Sequence, residues 1–529
     1  GSVHLGVGLD LRMARAMLQL GGPLLAVLAS YRLAVAVAGA AEVVKEATCS
    51  AGSSCDSSPV EEGGSRRYYW PQHRGHVGAF GLSAAEGPRE LSEPTWQWHA
   101  PENRFSSIII GGPLLDESSN IYLSVVQGTL KLDTEGQLLW FTLSVCPVSS
   151  VPSLMDGALF ANDVCGNVWA LDMETGRRLW ITKAGPNSGG DTQTVTAHVG
   201  YVVAGMISAK QWGGNGENRL VGLNATDGRV LWERDPPVMC WNLLALPVDG
   251  DTFIFQDFQG GAHRWRFEDG AVLWSTPPAG NMTDGSGTVG PNGLFYTVAL
   301  KEAVPGGIFR PDDPGYVTAY RVSDGTVVWK AEVPRPPNSV PVVGRLHEDG
   351  PLSVILGIGA QGGEPAIVKI MSRWWWLPGI WKSFFHHLSI WLGDWSYLLW
   401  WNKPLPTELM ALDAETGAKL WNWEADNWYR MAVAGDEEGV FPRMQAKTRT
   451  LCWPGPWSSV VLDGAGTLYA GSHNGKFYAL QDMNGDGKLD ATEKTSSIDF
   501  GSGFLFASPA ISPKLMAMAS CDSLYVWKK

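Results

Sequence analysis

Ala170-Leu171-Asp172-Met173-Glu174-Thr175-Gly176 runs into Trp180, and Ala411-Leu412-Asp413-Ala414-Glu415-Thr416-Gly417 runs in the same way into Trp421. The frame recurs with substitutions through Asp133 and Gly136 to Trp140, Asn224 and Gly228 to Trp232, Arg266 and Gly270 to Trp274, and Arg321 and Gly325 to Trp329. In all six copies the Trp stands four positions after the Gly. Asp or Asn opens a turn by hydrogen-bonding its own backbone, and Gly takes the positive φ that reverses the chain. Each copy therefore predicts a β-hairpin whose outer strand presents a large flat ring at a fixed register, where it fills the wedge to a neighbouring sheet and offers its N–H to a backbone carbonyl. The 63 Gly, 33 Pro and 26 Trp agree with many short strands joined by tight turns.

Two degenerate copies follow. Residues 467–480 (TLYAGSHNGKFYAL) supply the inner hairpin of a seventh unit and 514–527 (KLMAMASCDSLYVW) that of an eighth, which has no Trp strand after it. The segment 95–100 (TWQWHA) is a free Trp-bearing strand ahead of the first full repeat. A four-stranded unit cannot bury both faces alone, so radial stacking is expected. The predicted fold is all-β: an eight-bladed β-propeller over 94–529, with 95–100 closing the ring on the last blade and removing its exposed edges.

The pattern A-x-D-x-x-T-G-x-x-x-W resembles the tryptophan-docking motif of pyrroloquinoline-quinone (PQQ) type propellers, a family that includes quinoprotein alcohol dehydrogenases and a bacterial outer-membrane assembly lipoprotein. The resemblance covers about 94–529 and speaks to fold more than to function, because the fold hosts unrelated activities. A dehydrogenase of that family would hold PQQ and calcium in the propeller funnel beside an aspartate base, under a disulfide between adjacent cysteines. No two cysteines are neighbours here, and no haem-attaching CxxCH is present. PQQ is therefore not the expected cofactor.

A net charge of -13 argues against nucleic acid, whose phosphates need clustered Lys and Arg, and no basic stripe appears in the sequence. Residues 1–41 read as a signal peptide or leader, with Arg15 before an apolar run from Met17 to Tyr31 and small residues Ala38-Gly39-Ala40 at a cleavage position. An uncleaved anchor or organelle-targeting leader stays open. Residues 42–93, rich in Gly, Ser, Pro, Glu and Arg, read as a disordered linker. The seven cysteines (Cys49, Cys55, Cys146, Cys165, Cys240, Cys452, Cys521) fit an oxidising compartment and leave at least one thiol unpaired. Cys49 and Cys55 are a small disulfide loop or two free thiols. Asn224 and Asn281 head glycosylation sequons in a eukaryotic host.

The sharpest local motif is 482–493, DMNGDGKLDATE, which matches the calcium-loop pattern at every fixed position. Asp482, Asn484 and Asp486 alternate, Gly487 permits the sharp turn, Lys488 offers its carbonyl, and Asp490 and Glu493 complete the candidate metal set. The flank from Lys476 to Leu480 reads as a strand and the residues after Glu493 as at most a short helix, so a structural calcium loop replacing the seventh unit's turn is expected; a solvated acidic turn is the other reading. The insertion 371–403 carries Trp374, Trp375, Trp376, Trp381, Trp391, Trp395, Trp400 and Trp401. Lys382, His386, Ser389, Gly393 and Ser396 recur at helical spacing within it. A short Trp-rich helical insertion with a thin polar stripe fits a membrane–water interface, a partner protein or packing against the propeller itself. His386 and His387 are neighbours and diverge on a helix, which disfavours a metal role.

No Ser-His-Asp order, phosphate loop or paired-carboxylate motif stands out. The expected function is a non-catalytic scaffold for protein–protein interaction in an exported or luminal compartment, associated with a membrane or complex through 371–403. A PQQ-dependent oxidoreductase and a carbohydrate-binding propeller are the alternatives, the latter needing an aromatic platform beside two inward carboxylates.

Overall fold

The computed structural model describes residues 68–100, 106–186, 193–207, 218–302, 313–359, 405–430, 432–437, 452, 454–490 and 493–529. The leader, the calcium-loop residues Ala491 and Thr492, and the whole 371–403 insertion lie outside the described residues. Among the described residues there is no helix, and eight antiparallel sheets of four strands each form the blades of a propeller.

Blade 1 contains Leu114–Leu115, Ile121–Val125, Gly128–Leu132 and Leu138–Leu143. Blades 2 to 7 begin with Ser153–Met155, Thr196–His198, Leu246–Val248, Thr288–Val289, Val342–Gly344 and Val461–Leu462. Their fourth strands are Arg178–Lys183, Val230–Arg234, Val272–Ser275, Val327–Val333, Lys419–Glu424 and Lys494–Asp499. First strands of successive blades touch one another, as Val342–Gly344 does both Thr288–Val289 and Val461–Leu462, so the first strands line the axis. Second and third strands are sandwiched between neighbours and bury both faces, whereas fourth strands alternate exposed and half-buried residues at the rim, as in Arg178–Lys183.

The last blade is built from both ends of the propeller sequence. Ala510–Ile511, Leu515–Ala519 and Ser523–Lys528 supply three strands, and Trp96–His99 pairs antiparallel with the third, Trp96 opposite Val526 and His99 opposite Ser523. The ring thus closes without leaving the edge of Ser523–Lys528 bare.

Two disulfides join neighbouring segments of the ring. Cys146, just past blade 1, bonds Cys165 in a blade 2 turn, and Cys452 bonds Cys521 in a blade 8 turn. Cys240 is a buried free thiol; burial, then the charge of Asp257, raises its pKa.

The stretch expected to be a disordered linker departs from that expectation from Tyr68 onward. Tyr68, Trp70, Arg74 and Phe80 are at most 5% exposed. Tertiary burial overrode composition: the Gly residues form turns, with Gly75, Gly78 and Gly81 all at positive φ, and the aromatics between them enter the ring. Residues 42–67 lie outside the described residues.

Candidate functional site

The rim carries a repeating lock. The indole N–H of Trp140 donates to the Met173 carbonyl (3.0 Å), Trp180 to Ala225 (2.8 Å), Trp232 to Phe267 (2.6 Å), Trp274 to Val322 (3.0 Å) and Trp329 to Ala414 (2.9 Å). Each acceptor belongs to the turn of the next blade, three residues before its Gly. A Cβ on Gly176 would come within 2.6 Å of the Trp140 ring, and one on Gly228 within 2.4 Å of the Trp180 ring. The turn Gly is therefore required twice, by a φ of +68° or +72° and by the indole lying against it. Sequence reading passed over one member of this chain: Trp96 in the closing strand donates to the Thr134 carbonyl at 3.0 Å, so blade 8 locks onto blade 1 by the same device. Its signal was present, a Trp on a lone strand, but the preceding turn Gly was missing.

Trp421 is the departure. Its ring is buried beside Leu489 in the core between blades 6 and 7, yet its indole N–H has no acceptor among the described residues. Blade 7 has the 482–493 loop where blades 1 to 6 have the Gly turn. In that loop Asp482 accepts the backbone N–H groups of Gly485 and Gly487, both at 2.7 Å, Asn484 accepts that of Asp486 (2.8 Å), and Asp486 that of Lys488 (2.9 Å). Glu493 reaches back across the loop to the Met483 N–H and the Asn484 amide, both at 2.6 Å. The oxygen donors a hard cation requires are on one loop. Among the described residues, Asp482, Asp486, Asp490 and Glu493 form no group of three carboxylates within 4.8 Å of one another. Among the described residues the one group of three metal-ligating side chains that close, Cys146, Asp163 and Cys165, has both sulfurs in a disulfide.

The axis is filled by the segment that precedes the ring. Trp70 exchanges backbone hydrogen bonds with Leu115 of blade 1, both at 3.0 Å, and the Pro71 carbonyl accepts from Leu154 of blade 2 (2.7 Å). A short hairpin follows, Gly75–His76 against Ala79–Phe80. Phe80 packs with Leu244, Leu246 and Val248 of blade 4 and with Val340. Gly81 and Ser83 then bond Leu462 of blade 7 at 2.9 and 3.0 Å. Arg74, wholly buried, donates to the carbonyls of Val460 and Pro341 beside blades 7 and 6. Burial alone lowers its pKa to about 9. His73 is pulled down to about 3, first by burial and then by the Arg74 charge, so it is a neutral imidazole; its Nε2 faces Ser459 Oγ at 3.3 Å. From Gly87 to Ser92 the chain runs outward along blades 7 and 8, where Trp527 caps the Ser92 carbonyl at 2.8 Å.

No carboxylate lines the small cavity left beside His73, whose walls are Val151, Thr194, Asn242, Leu244, Ser286, Val340 and Phe506. The paired inward carboxylates that a glycosidase-like reading needs are absent from that lining. In blade 4, Ser275 Oγ lies 2.9 Å from His263 Nδ1, and His263 Nε2 lies 2.9 Å from Asp257. This is a brace between strands rather than a nucleophile relay, because Asp257 also accepts the N–H groups of Gln259 and Gly261 and the imidazole has no exposed surface. Of the sequon residues, Asn224 stands in an open turn, accepting from Thr226 (2.8 Å), whereas the Asn281 amide donates to the Lys301 carbonyl at 3.0 Å and a glycan there would break that bond.

The family model described as outer membrane protein assembly factor BamB (PQQ_2) matches residues 93–236, 129–289 and 214–349, in overlapping windows that step along the blades. The chain belongs to the PQQ-like β-propeller family. Within this family, outer membrane protein assembly factor BamB of Yersinia pestis is 23% identical over 392 residues, covering 72% of this chain and 84% of that protein. Tetrathionate hydrolase of Acidithiobacillus ferrooxidans is 21% identical over 308 residues, and the match spans only 57% of its length and 51% of this chain. Among solved PQQ-like structures, BamB from Moraxella catarrhalis superposes with a TM-score of 0.50 at 14% identity, over 83% of this chain and all of that one (100%). Quinohemoprotein alcohol dehydrogenase ADHIIG from Pseudomonas putida HK5 gives 0.51 at 10% identity, over 87% and 80%. At such identities both structures testify to the PQQ-like fold alone.

Proposed function

We propose that this chain is a non-catalytic docking ring for protein partners in an exported, membrane-peripheral compartment. The observation that carries the reading is the rim strand of blade 1. Leu138–Leu143 and the residues after it to Val148 (LLWFTLSVCPV) hold no charge, and Leu139, Phe141, Leu143 and Val145 are 50%, 38%, 52% and 60% exposed. Several other rim strands are blunted by charge, with Glu233 and Arg234 in blade 3, Lys330 and Glu332 in blade 5, and Lys494 and Asp499 in blade 7; those of blade 4 (Val272–Ser275) and blade 8 (Trp96–His99) are also uncharged but are four residues long against six. Proteins protect free strand edges in this way, and an edge left apolar and unpaired is a template for an added strand from a partner. Export is supported by two disulfides and by the leader-like start, and protein docking by a relative that is named as an assembly factor. The 371–403 tryptophans supply the membrane or second partner contact in this reading. Residues 482–493 take calcium as a structural staple of blade 7.

The test is site-specific photocrosslinking in the native host, with the probe at Phe141 in one sample and at the exposed Ser497 of blade 7 in another. A discrete adduct several-fold stronger at Phe141, and lost on Leu139→Lys, is the expected result. Equal adducts at both rims would remove the basis of the proposal.

A further inference from the structure

The residues that fill the axis meet first strands or their approaches on blades 1, 2, 4, 6 and 7. What remains beside His73 is a cavity of about 10 Å³, room for roughly one water. A tricyclic quinone with its calcium needs a site of several hundred Å³, on the order of 300 or more. Nor is the filling loosely placed. Arg74 is at a φ of +76°, its guanidinium reaches backbone carbonyls on two blades, and a Cβ on Gly81 would come within 2.3 Å of its Nη2. A cation buried against carbonyls is tolerated only where packing determines the backbone around it. The hairpin tip, His76 and Gly78, is exposed, so the segment reaches one mouth of the channel rather than ending inside it.

We infer that residues 68–83 are a built-in plug occupying the axial space that the dehydrogenase members of the family give to a quinone, so that this ring is closed at its centre by its own polypeptide and takes no quinone there. The plug then does what a ligand does in an open funnel: it ties first strands of blades on opposite sides of the ring to one body. This inference stands apart from partner docking at the rim, since either is testable without the other.

Hydrogen exchange on the full-length protein reads the plug directly. Amides of residues 70–83 are expected to be protected about a thousandfold or more over free chain, close to the first strands they bond. In parallel, titration with PQQ and calcium, followed by tryptophan fluorescence, is expected to show no saturation up to about 1 mM quinone. Gly81→Val, which drives a side chain into Arg74, is expected to release protection over 70–83 while the second and third strands of the blades keep theirs. Free-chain exchange of 70–83 in the unmodified protein overturns the plug, and saturable one-to-one quinone binding overturns the exclusion; neither outcome depends on the variant folding.

Discussion

Trp232 and Trp421 occupy the same register of the repeat and are withdrawn from water to nearly the same degree, 7% and 5% exposed, yet among the described residues only Trp232 has an acceptor for its N–H. The difference traces to the neighbour. Blade 4 offers Trp232 a Gly turn with the Phe267 carbonyl in place, whereas blade 7 offers Trp421 the longer 482–493 loop and the side chain of Leu489. Among the described residues, one interface is thus specified by shape and an indole hydrogen bond, the other by apolar contact without that bond. Propeller interfaces in this chain are interchangeable in architecture and unequal in what fixes them.

The largest effect should come from opening the ring where the two kinds of lock cannot compensate. Deleting residues 94–99 removes the strand paired with Ser523–Lys528 and the Trp96 bond to Thr134. Loss of two packed Trp residues, Trp96 and Trp98, with their strand should cost roughly 5 kcal/mol or more in urea unfolding. An unchanged transition would mean that blade 8 does not depend on closure. Next in size is the comparison itself. Trp232→Phe removes ring volume and leaves the Phe267 carbonyl short of its donor, while Trp421→Phe removes the same volume and no described bond. Trp232→Phe should therefore be the more destabilising by about 1–3 kcal/mol. Equal losses would show that Trp421 has an acceptor too.

Legibility followed the same line. The six Gly-to-Trp frames are local, so spacing alone placed Trp140, Trp180, Trp232, Trp274, Trp329 and Trp421 on rim strands, and the lone strand at 95–100 could be assigned to closure because the eighth repeat lacked an outer strand. The axial segment was illegible for a physical reason: Trp70, His73, Arg74 and Phe80 have no periodicity of their own, and their order comes from blades hundreds of residues away, as with Arg74 and Val460. Composition measures what a segment can bury by itself and is blind to a cavity another part of the chain provides. The missing acceptor of Trp421 was equally out of reach, since the sequence shows the loop but not which carbonyl it withholds.

A third effect, of comparable size, sharpens the comparison most. Leu489, a residue of the 482–493 loop, is buried in the same cluster as Trp421, so a cation held by Asp482, Asn484, Asp486 and Glu493 would fix the surface against which that indole packs. Calcium would then stand in, between blades 6 and 7, for the bond that six other interfaces draw from a turn carbonyl. A ligand that binds only the folded loop adds about 2.7 kcal/mol when present at 100 times its dissociation constant. Chelation should lower the unfolding transition by that order in the unmodified protein and in Trp232→Phe alike, and by much less in Asp486→Ala, whose carboxylate is lost from the donor set. If the transition is the same in excess calcium and in chelator, the loop is an acidic turn held by its own hydrogen bonds, and the blade 6 to blade 7 interface rests on apolar packing without further help.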